Sequence, residues 1–219
     1  ENLSVPWVMD LRDAWMGNRM ARWYTPLHKY ISDRMYTDTI RKASIVIANT
    51  NVLAESIRQS FPQQQVLSIP NGYDEQLFEQ SNTQRPTDSS SDTIVGLYSG
   101  GAYGGWVTRL LERLAKVIES LGEPASSSVK LYILGELEPE DSRSGVGPIG
   151  LGHSSVVDVP SFLLGADVLI ICMPESEIDS ERILLKSYGY ARAQRPILYL
   201  GPKNATYDYL SERTILRQY

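Results

Sequence analysis

The hydrophobic and polar positions of this chain alternate between short apolar runs of strand length and longer amphipathic segments of helix length. In the first eighty residues the apolar runs predict strands at 5–9, 45–48 and 66–69. Helices are predicted between them, one within 20–42 and one that begins at a cap residue, Asn49 or Thr50. This order is typical of a parallel sheet with right-handed crossovers.

The same alternation resumes after residue 92. The predicted strands lie at 93–98, 129–134, 166–172 and 196–200, and the predicted helices lie at 106–121, 159–164 and 181–193, with one short helical stretch near the end. The runs 166–172 and 196–200 are apolar throughout, as in strands that are covered on both faces of a parallel sheet.

The two halves are separated by QSNTQRPTDSSSD at 80–92, a polar stretch without an apolar anchor. Such a composition favours a linker. We therefore predict an α/β protein of two Rossmann-like units, residues 1–80 and 93–219, joined by a linker at 81–92.

Charge narrows the classes of function. The 219 residues carry a net charge of -5, which argues against nonspecific nucleic-acid binding. Residues 12–42 are an exception, with seven basic and three acidic residues, and two interpretations stay open: a solvated helix face, or a surface against anionic lipid headgroups. No apolar run reaches the roughly eighteen residues that span a bilayer, so we predict a cytoplasmic protein, soluble or peripheral.

Candidate metal and disulfide residues are few. The single cysteine, Cys172, falls in a predicted buried strand and is most simply a core residue. His28 has no carboxylate or second histidine at metal-ligand spacing. The sequence therefore predicts no metal site and no disulfide.

A glycine-rich loop, SGGAYGG at 99–105, lies between a predicted strand and a predicted helix. Glycines at such a joint let backbone N–H groups approach a phosphate, and the helix dipole favours the anion. Gly100, Gly101 and Tyr103 are therefore candidates for phosphate binding. A plain turn is the alternative, because the spacing is not the dinucleotide fingerprint.

A second group of candidates follows the strand at 166–172. Ligands of open parallel sheets bind outside the carboxyl ends of the strands, which makes Glu181 and Lys186 candidate site residues. Lys186 would act as a point charge on phosphate oxygens, and the alternative is a solvent lysine. The alternative for Glu181 is a charge at a helix N-terminus, where the dipole favours it.

Four stretches resemble, in the same order, the bacterial retaining glycosyltransferases of family 4, which have the GT-B architecture. They are PWVMDLRDAW at 6–15, the segment 43–74 with ASIVIANT and IPNGYD, IVGLYSGGAYGG at 94–105, and the segment 165–202 with KSYGYARAQRPIL. The resemblance implies two Rossmann-like units that face a cleft, the first on the acceptor side and the second binding the donor. It also implies a longer parent, because part of the N-terminal domain and the C-terminal end would be absent.

The resemblance implies a nucleoside diphosphate sugar as donor and a glycan or lipid-linked acceptor, as in polysaccharide biosynthesis, with no cofactor, metal or nucleic acid and with possible peripheral contact with the inner membrane. Glu181 would hold the sugar and Lys186 the leaving diphosphate. The implied donor-binding residues are Gly100, Gly101, Tyr103, His153, Lys186 and Tyr188, and the implied acceptor-side residues are Arg12 and Asp13.

Several alternatives stay open beside this interpretation. His153 could be incidental, and Arg12 with Asp13 could form a buried ion pair that supports the turn at Trp15. Gly189 stands where many family members carry a second glutamate near the nucleotide ribose, which weakens a ribose contact through a carboxylate. A noncatalytic binding or assembly subunit and a sugar-nucleotide epimerase of the same fold are the competing functions.

Overall fold

The computed structural model of the chain describes residues 5–15, 24–86, 92–101, 105–135, 147–177 and 181–218. The contacts within the chain divide it into two compact units. The first comprises residues 1–71 and 180–183, and the second comprises residues 72–179 and 184–219.

The first unit is a three-stranded parallel sheet with two helices. In chain order its described elements are β1 (Val8–Leu11), α1 (Pro26–Lys42), β2 (Ile45–Ala48), α2 (Asn51–Ser60) and β3 (Val66–Ser68). Strand β2 lies in the middle of the sheet. Both helices begin at a threonine cap, because Thr25 accepts the N–H of His28 and Thr50 accepts the N–H of Leu53. The core of the unit lies between the helices and one face of the sheet.

The second unit is built on a six-stranded parallel sheet. Its described strands are β4 (Ile94–Ser99), β5 (Val129–Leu134), β6 (Ile149–Gly150), β7 (Val168–Cys172), β8 (Ile197–Leu200) and β9 (Leu216–Gln218). They are ordered β6-β5-β4-β7-β8-β9, and every pair is parallel. The described helices are α3 (Glu75–Gln80), α4 (Trp106–Ser120), α5 (Ala125–Ser128), α6 (Val159–Gly165), α7 (Lys186–Ala193) and α8 (Ala205–Ser211).

Both faces of this sheet are buried, as its apolar strands require. Leu97 of β4 and Leu169 of β7 pack in one core cluster with residues of α6, α7 and α8. Tyr98 and Ile170, one position further along each strand, pack in another cluster with Leu111 of α4. Successive side chains of each strand point to opposite faces of the sheet, and helices cover both faces. The prediction of an α/β fold with parallel sheets is confirmed.

Most predicted elements exist within one to three residues of their predicted bounds, and the strands at 45–48 and 129–134 coincide with β2 and β5. The helix predicted at 181–193 begins five residues late, at Lys186. A tertiary hydrogen bond explains the difference, because the N–H of Leu184 donates to Thr206 Oγ1 at 3.0 Å and holds this stretch outside the helix. Glu181 is therefore not a charge at a helix N-terminus.

The break between the units lies between Asn71 and Gly72, earlier than the linker predicted at 81–92. The described part of the polar stretch is anchored on the second unit by hydrogen bonds. Arg85 donates to the Asp167 carboxylate at 3.0 and 3.2 Å and to Thr93 O at 2.7 Å. Residues 81–86 thus belong to the second unit, and residues 87–91 lie outside the described part of the chain.

We expect Asp167→Asn to lower the free energy of unfolding of the second unit by about 1 kcal/mol at pH 7, a modest loss because the pair with Arg85 is partly exposed. Partial burial raises the pKa of Asp167, but hydrogen bonds from Arg85 and from the N–H of Val95 outweigh it, so the pKa lies below its ordinary value. The stabilisation is therefore present above the unfolded-state pKa and is lost as the pH falls through the folded-state pKa.

Urea unfolding at pH 7 and below about pH 3 measures this effect. Asp158→Asn is the control, because the exposed Asp158 side chain makes no cap hydrogen bond at the start of α6. A difference between parent and Asp167→Asn that stays constant down to the lowest pH would contradict the assignment.

Candidate functional site

Gly100, in the glycine-rich loop after β4, is held in a conformation that only glycine adopts easily. Gly100 has a φ of 131° and donates its N–H to Leu134 O at 2.9 Å. The loop lies against Gly135, where an added Cβ would collide with Gly100 O. Helix α4 begins after Gly105, which has no side chain with which to cap the first-turn N–H groups. Tyr103, a predicted donor-binding residue, lies outside the described residues.

Lys186, the first residue of α7, extends its side chain to this loop. Its Nζ lies 3.7 Å from the centroid of the Tyr98 ring and 2.8 Å from the position of a Cβ added at Gly100. Burial lowers the pKa of Lys186 to about 8. Among the described residues no carboxylate forms an ion pair with it. Lys186 is thus a half-buried cation that lies against the glycine loop and lines the cavity described below.

The position of α7 is fixed by a tyrosine that sequence reasoning missed. Tyr190 is fully buried, and its hydroxyl accepts the N–H of Ser99 at 2.8 Å, at the last residue of β4. Lys186 and Tyr190 are four residues apart and therefore share one face of α7. The signal was present in the sequence as the KSYGY spacing, which places both side chains on the same face of the helix, one turn apart.

A cavity of about 190 Å³ lies beside these residues in the second unit. Lys186, Gly189 and Tyr190 of α7 line it together with Ser99. Its apolar wall is formed by Leu77, Phe78, Val159, Pro160, Leu163 and Leu185. A cation beside an apolar wall suits a ligand that has both an anionic group and a flat apolar part.

Helix α3 forms one wall of the cavity and is held to α7 by a charged pair. The guanidinium of Arg192 donates to the Glu75 carboxylate at 2.5 to 2.9 Å. It also lies 5.2 Å from the centroid of the Phe78 ring, which is buried in the core. The wall therefore has a fixed position relative to Lys186 before any ligand arrives.

Two further predicted donor-binding residues occupy different surroundings. His153 is exposed and follows Gly152, which forms a β-bridge with Gly135 beside the glycine loop. Tyr188 is buried, with its ring 4.9 Å from that of Tyr209 on α8, and it does not line the cavity. His153 is thus near the loop by sequence and pairing, whereas Tyr188 is part of the packing between α7 and α8.

The remaining predicted residues belong to the first unit. Glu181 groups with that unit, and burial together with the charge of Glu181 raises the pKa of Tyr36 on α1. Its neighbour Arg182 pairs with Asp13 at 3.6 Å. The chain thus brings Lys186 and the glycine loop together in the second unit, whereas Glu181 is described with the first.

The alternative of a buried ion pair between Arg12 and Asp13 is wrong, because each residue has another partner. Arg12 donates to the Asp10 carboxylate at 2.6 and 2.9 Å and to Asn71 Oδ1 at 2.9 Å, and this pair is half-exposed. Alternating side chains of an extended segment share a face, so position 10 rather than position 13 meets Arg12. The Trp15 ring is instead held by a hydrogen bond to Ser32 and by packing on α1.

No protein-family model matches the chain, and no curated protein matches it. Solved structures do match. Sucrose-phosphate synthase from Thermosynechococcus elongatus is 14% identical, with 89% of this chain and 50% of that chain covered and a TM-score of 0.56. HepE from Anabaena, solved in complex with UDP-glucose, is 16% identical, with 94% and 62% covered and a TM-score of 0.57.

A third match is the GtfA/B complex, at 14% identity, with 85% of this chain and 36% of that chain covered and a TM-score of 0.52. These proteins are GT-B glycosyltransferases. The chain has a GT-B-like fold. It spans from about a third to just under two thirds of the length of these structures, and at such identities the similarity concerns the fold.

Two negative findings apply to the described ranges of this GT-B-like chain. None of their helices combines the length and the apolar character that crossing a membrane requires. No three histidine, cysteine, aspartate or glutamate side chains within those ranges come together as ligands for a metal ion.

We expect Lys186→Met to raise the free energy of unfolding of the ligand-free protein at pH 7 by about 1 to 3 kcal/mol, because an apolar side chain of similar length replaces an enclosed cation. The folded-state pKa of Lys186, about 8, lies below its unfolded value, so the unfolded state binds more protons between the two. The parent therefore gains stability as the pH rises above about 8, and the difference from the variant shrinks.

Denaturant unfolding of both proteins between about pH 7 and pH 10 measures this convergence. Lys203→Met is the matched control, because Lys203 is exposed and lies 5.2 Å from the centroid of the Tyr207 ring. A Lys186→Met protein less stable than the parent at pH 7 would show that the lysine has a stabilising partner and would contradict this description.

Proposed function

We propose that this chain belongs to a retaining glycosyltransferase of family 4, a hexosyltransferase that moves a sugar from a nucleoside diphosphate sugar to a hydroxyl of a glycan or lipid-linked acceptor. The observation that carries the proposal is the half-buried ammonium of Lys186, which lies over the Tyr98 ring against Gly100 without a carboxylate partner among the described residues. An anionic leaving group would supply the missing countercharge.

The chemistry asked of this site is mainly electrostatic. When the bond between the sugar and the diphosphate breaks, negative charge collects on the departing phosphate oxygens. Lys186, the backbone N–H groups of the glycine loop beyond Gly100 and the N-terminus of α4 would stabilise that charge at fixed positions, with no reorganisation during the reaction. Glu181 would hold the sugar in position for the acceptor. The scheme uses no metal and no cofactor.

The fold supports the division of labour between the units. HepE, which shares the fold, was solved in complex with UDP-glucose, and this supports a nucleotide sugar as a ligand. We assign that ligand to the second unit because Lys186 and the glycine loop lie there. The first unit would then take the acceptor, with Arg12 and Asp13 near it. We assign the enzyme to polysaccharide biosynthesis in the cytoplasm, with the basic, partly apolar exterior of α1 resting against the anionic lipids of the inner membrane.

The first test is nucleotide binding by calorimetry with UDP, ADP and GDP. We expect Lys186→Ala to weaken the binding of the preferred nucleotide by about 1.5 to 3 kcal/mol, the range for a hydrogen bond to a charged group. Lys203→Ala, which removes an exposed lysine from the same unit, should bind as tightly as the parent. Equal affinity of a folded Lys186→Ala protein and the parent would show that the diphosphate does not contact this lysine.

The second test separates binding from transfer in the complete enzyme. We expect Glu181→Gln to leave nucleoside diphosphate affinity unchanged and to lower sugar transfer, because its proposed partner is the sugar and not the diphosphate. A parent protein that binds the nucleotide but transfers no sugar to any acceptor would instead favour a noncatalytic GT-B-like subunit. Interconversion of sugar nucleotides would favour an epimerase.

A further inference from the structure

The two middle strands of the six-stranded sheet separate at their carboxyl ends. Strand β4 is paired with β5 along its whole length, from Ile94 to Ser99, whereas its register with β7 ends at the pair Leu97 and Leu169. The strands that follow β4 lie on one side of this gap, and the strands that follow β7 lie on the other. The gap is therefore a topological switch point, where open parallel sheets bind their ligands.

The separation leaves the N–H of Ser99 without a partner strand. Consecutive N–H groups of a parallel strand point to opposite sides, and the N–H of Gly100 points to the β5 side, where it donates to Leu134 O at 2.9 Å. The N–H of Ser99 therefore points to the β7 side. Tyr190 of α7 takes the place of the missing strand, because its hydroxyl accepts this N–H at 2.8 Å.

The helix that supplies Tyr190 also carries Lys186 to the gap. The two side chains are one turn apart on the same face of α7. The Nζ atom of Lys186 lies 3.7 Å from the ring centroid of Tyr98, the residue before Ser99. The hydrogen bond at Ser99 thus joins the helix that supplies the cation to the strand end from which the glycine loop departs.

The Tyr190 hydroxyl adds little net stability to the fold. It satisfies the N–H of Ser99, but among the described residues no group accepts its own hydrogen. Burial raises the pKa of Tyr190, so this hydrogen stays in place. The tyrosine therefore satisfies one buried donor and leaves another unsatisfied, and the two effects on the free energy of unfolding nearly cancel.

We propose that Tyr190 is a positioning residue for the anionic ligand, because its hydrogen bond holds the glycine loop and the Lys186 ammonium at the spacing that the diphosphate bridges. This inference rests on the proposed function, which places the diphosphate between these two elements. Tyr190 is fully buried and acts through Ser99 and Lys186 without touching the ligand. Without the bond, the N–H of Ser99 requires a water molecule in the gap, and that water separates β4 from α7 and hydrates the ammonium.

Tyr190→Phe tests this role, with Tyr199→Phe as the matched control. Tyr199 of β8 is equally buried, does not line the cavity, and donates its hydroxyl hydrogen to Asn204 Oδ1 at 2.9 Å. We expect Tyr190→Phe to bind the preferred of UDP, ADP and GDP about tenfold more weakly than the parent in calorimetry. Tyr199→Phe should keep the affinity of the parent, although it should lose more stability than Tyr190→Phe in urea unfolding.

A second measurement needs no nucleotide. Titration of the ε-methylene NMR signals of Lys186 in the ligand-free protein reports how far the ammonium is dehydrated. We expect the pKa of Lys186, about 8 in the parent, to rise in Tyr190→Phe because water reaches the ammonium. It should stay unchanged in Tyr199→Phe, which alters a different part of the unit.

Equal nucleotide affinity of Tyr190→Phe and the parent would overturn the inference, and so would an unchanged pKa of Lys186. In either case, weakened binding by Lys186→Ala would leave the proposed function standing. An equal loss of affinity in both tyrosine variants would show a general structural effect and would also overturn the inference. A parent that binds no nucleoside diphosphate would overturn both the inference and the proposed function.

Discussion

The ammonium of Lys186, half-buried over the Tyr98 ring and against the backbone of Gly100, is the feature on which the rest of this site depends. A cation in such surroundings is unfavourable unless an anion joins it, and burial accordingly lowers its pKa to about 8. The surrounding structure holds it there nonetheless. Tyr190 ties α7 to the end of β4 through the N–H of Ser99, and Gly100 has no side chain that would collide with the lysine.

This arrangement exchanges stability for a preorganised charge. The Tyr98 face offers a cation–π contact, which offsets part of the desolvation cost but satisfies none of the three N–H donors of the ammonium. A diphosphate would accept those hydrogen bonds and favour the charged form. Helix α3, which also lines the cavity, is held to α7 by the ion pair of Glu75 with Arg192 before a ligand binds.

Sequence reasoning predicted the features that depend on local pattern. Apolar runs and cap residues located β2, β5 and the start of α2, and glycines between a strand and a helix located the loop at Gly100. It failed where a hydrogen bond between residues far apart in the sequence determines the local structure. The late start of α7 depends on the hydrogen bond of Leu184 to Thr206, twenty-two residues away. Similarly, one hydrogen-bond partner of Arg12 is the distant residue Asn71. Sequence reasoning also missed Asp74. The segment IPNGYD indicates a turn, and nothing in it indicates that its last residue caps α3 and lines a cavity.

The central claim is that the Lys186 ammonium receives the diphosphate, and proton uptake on binding tests it most directly. Calorimetry of UDP binding at about pH 8, in two buffers that differ in ionisation enthalpy, measures the uptake. With a pKa of about 8, roughly half of Lys186 is neutral in the free protein, and the diphosphate would protonate it. We predict uptake of about half a proton per site in the parent and none in Lys186→Met. The same binding heat in both buffers for the parent would contradict the account.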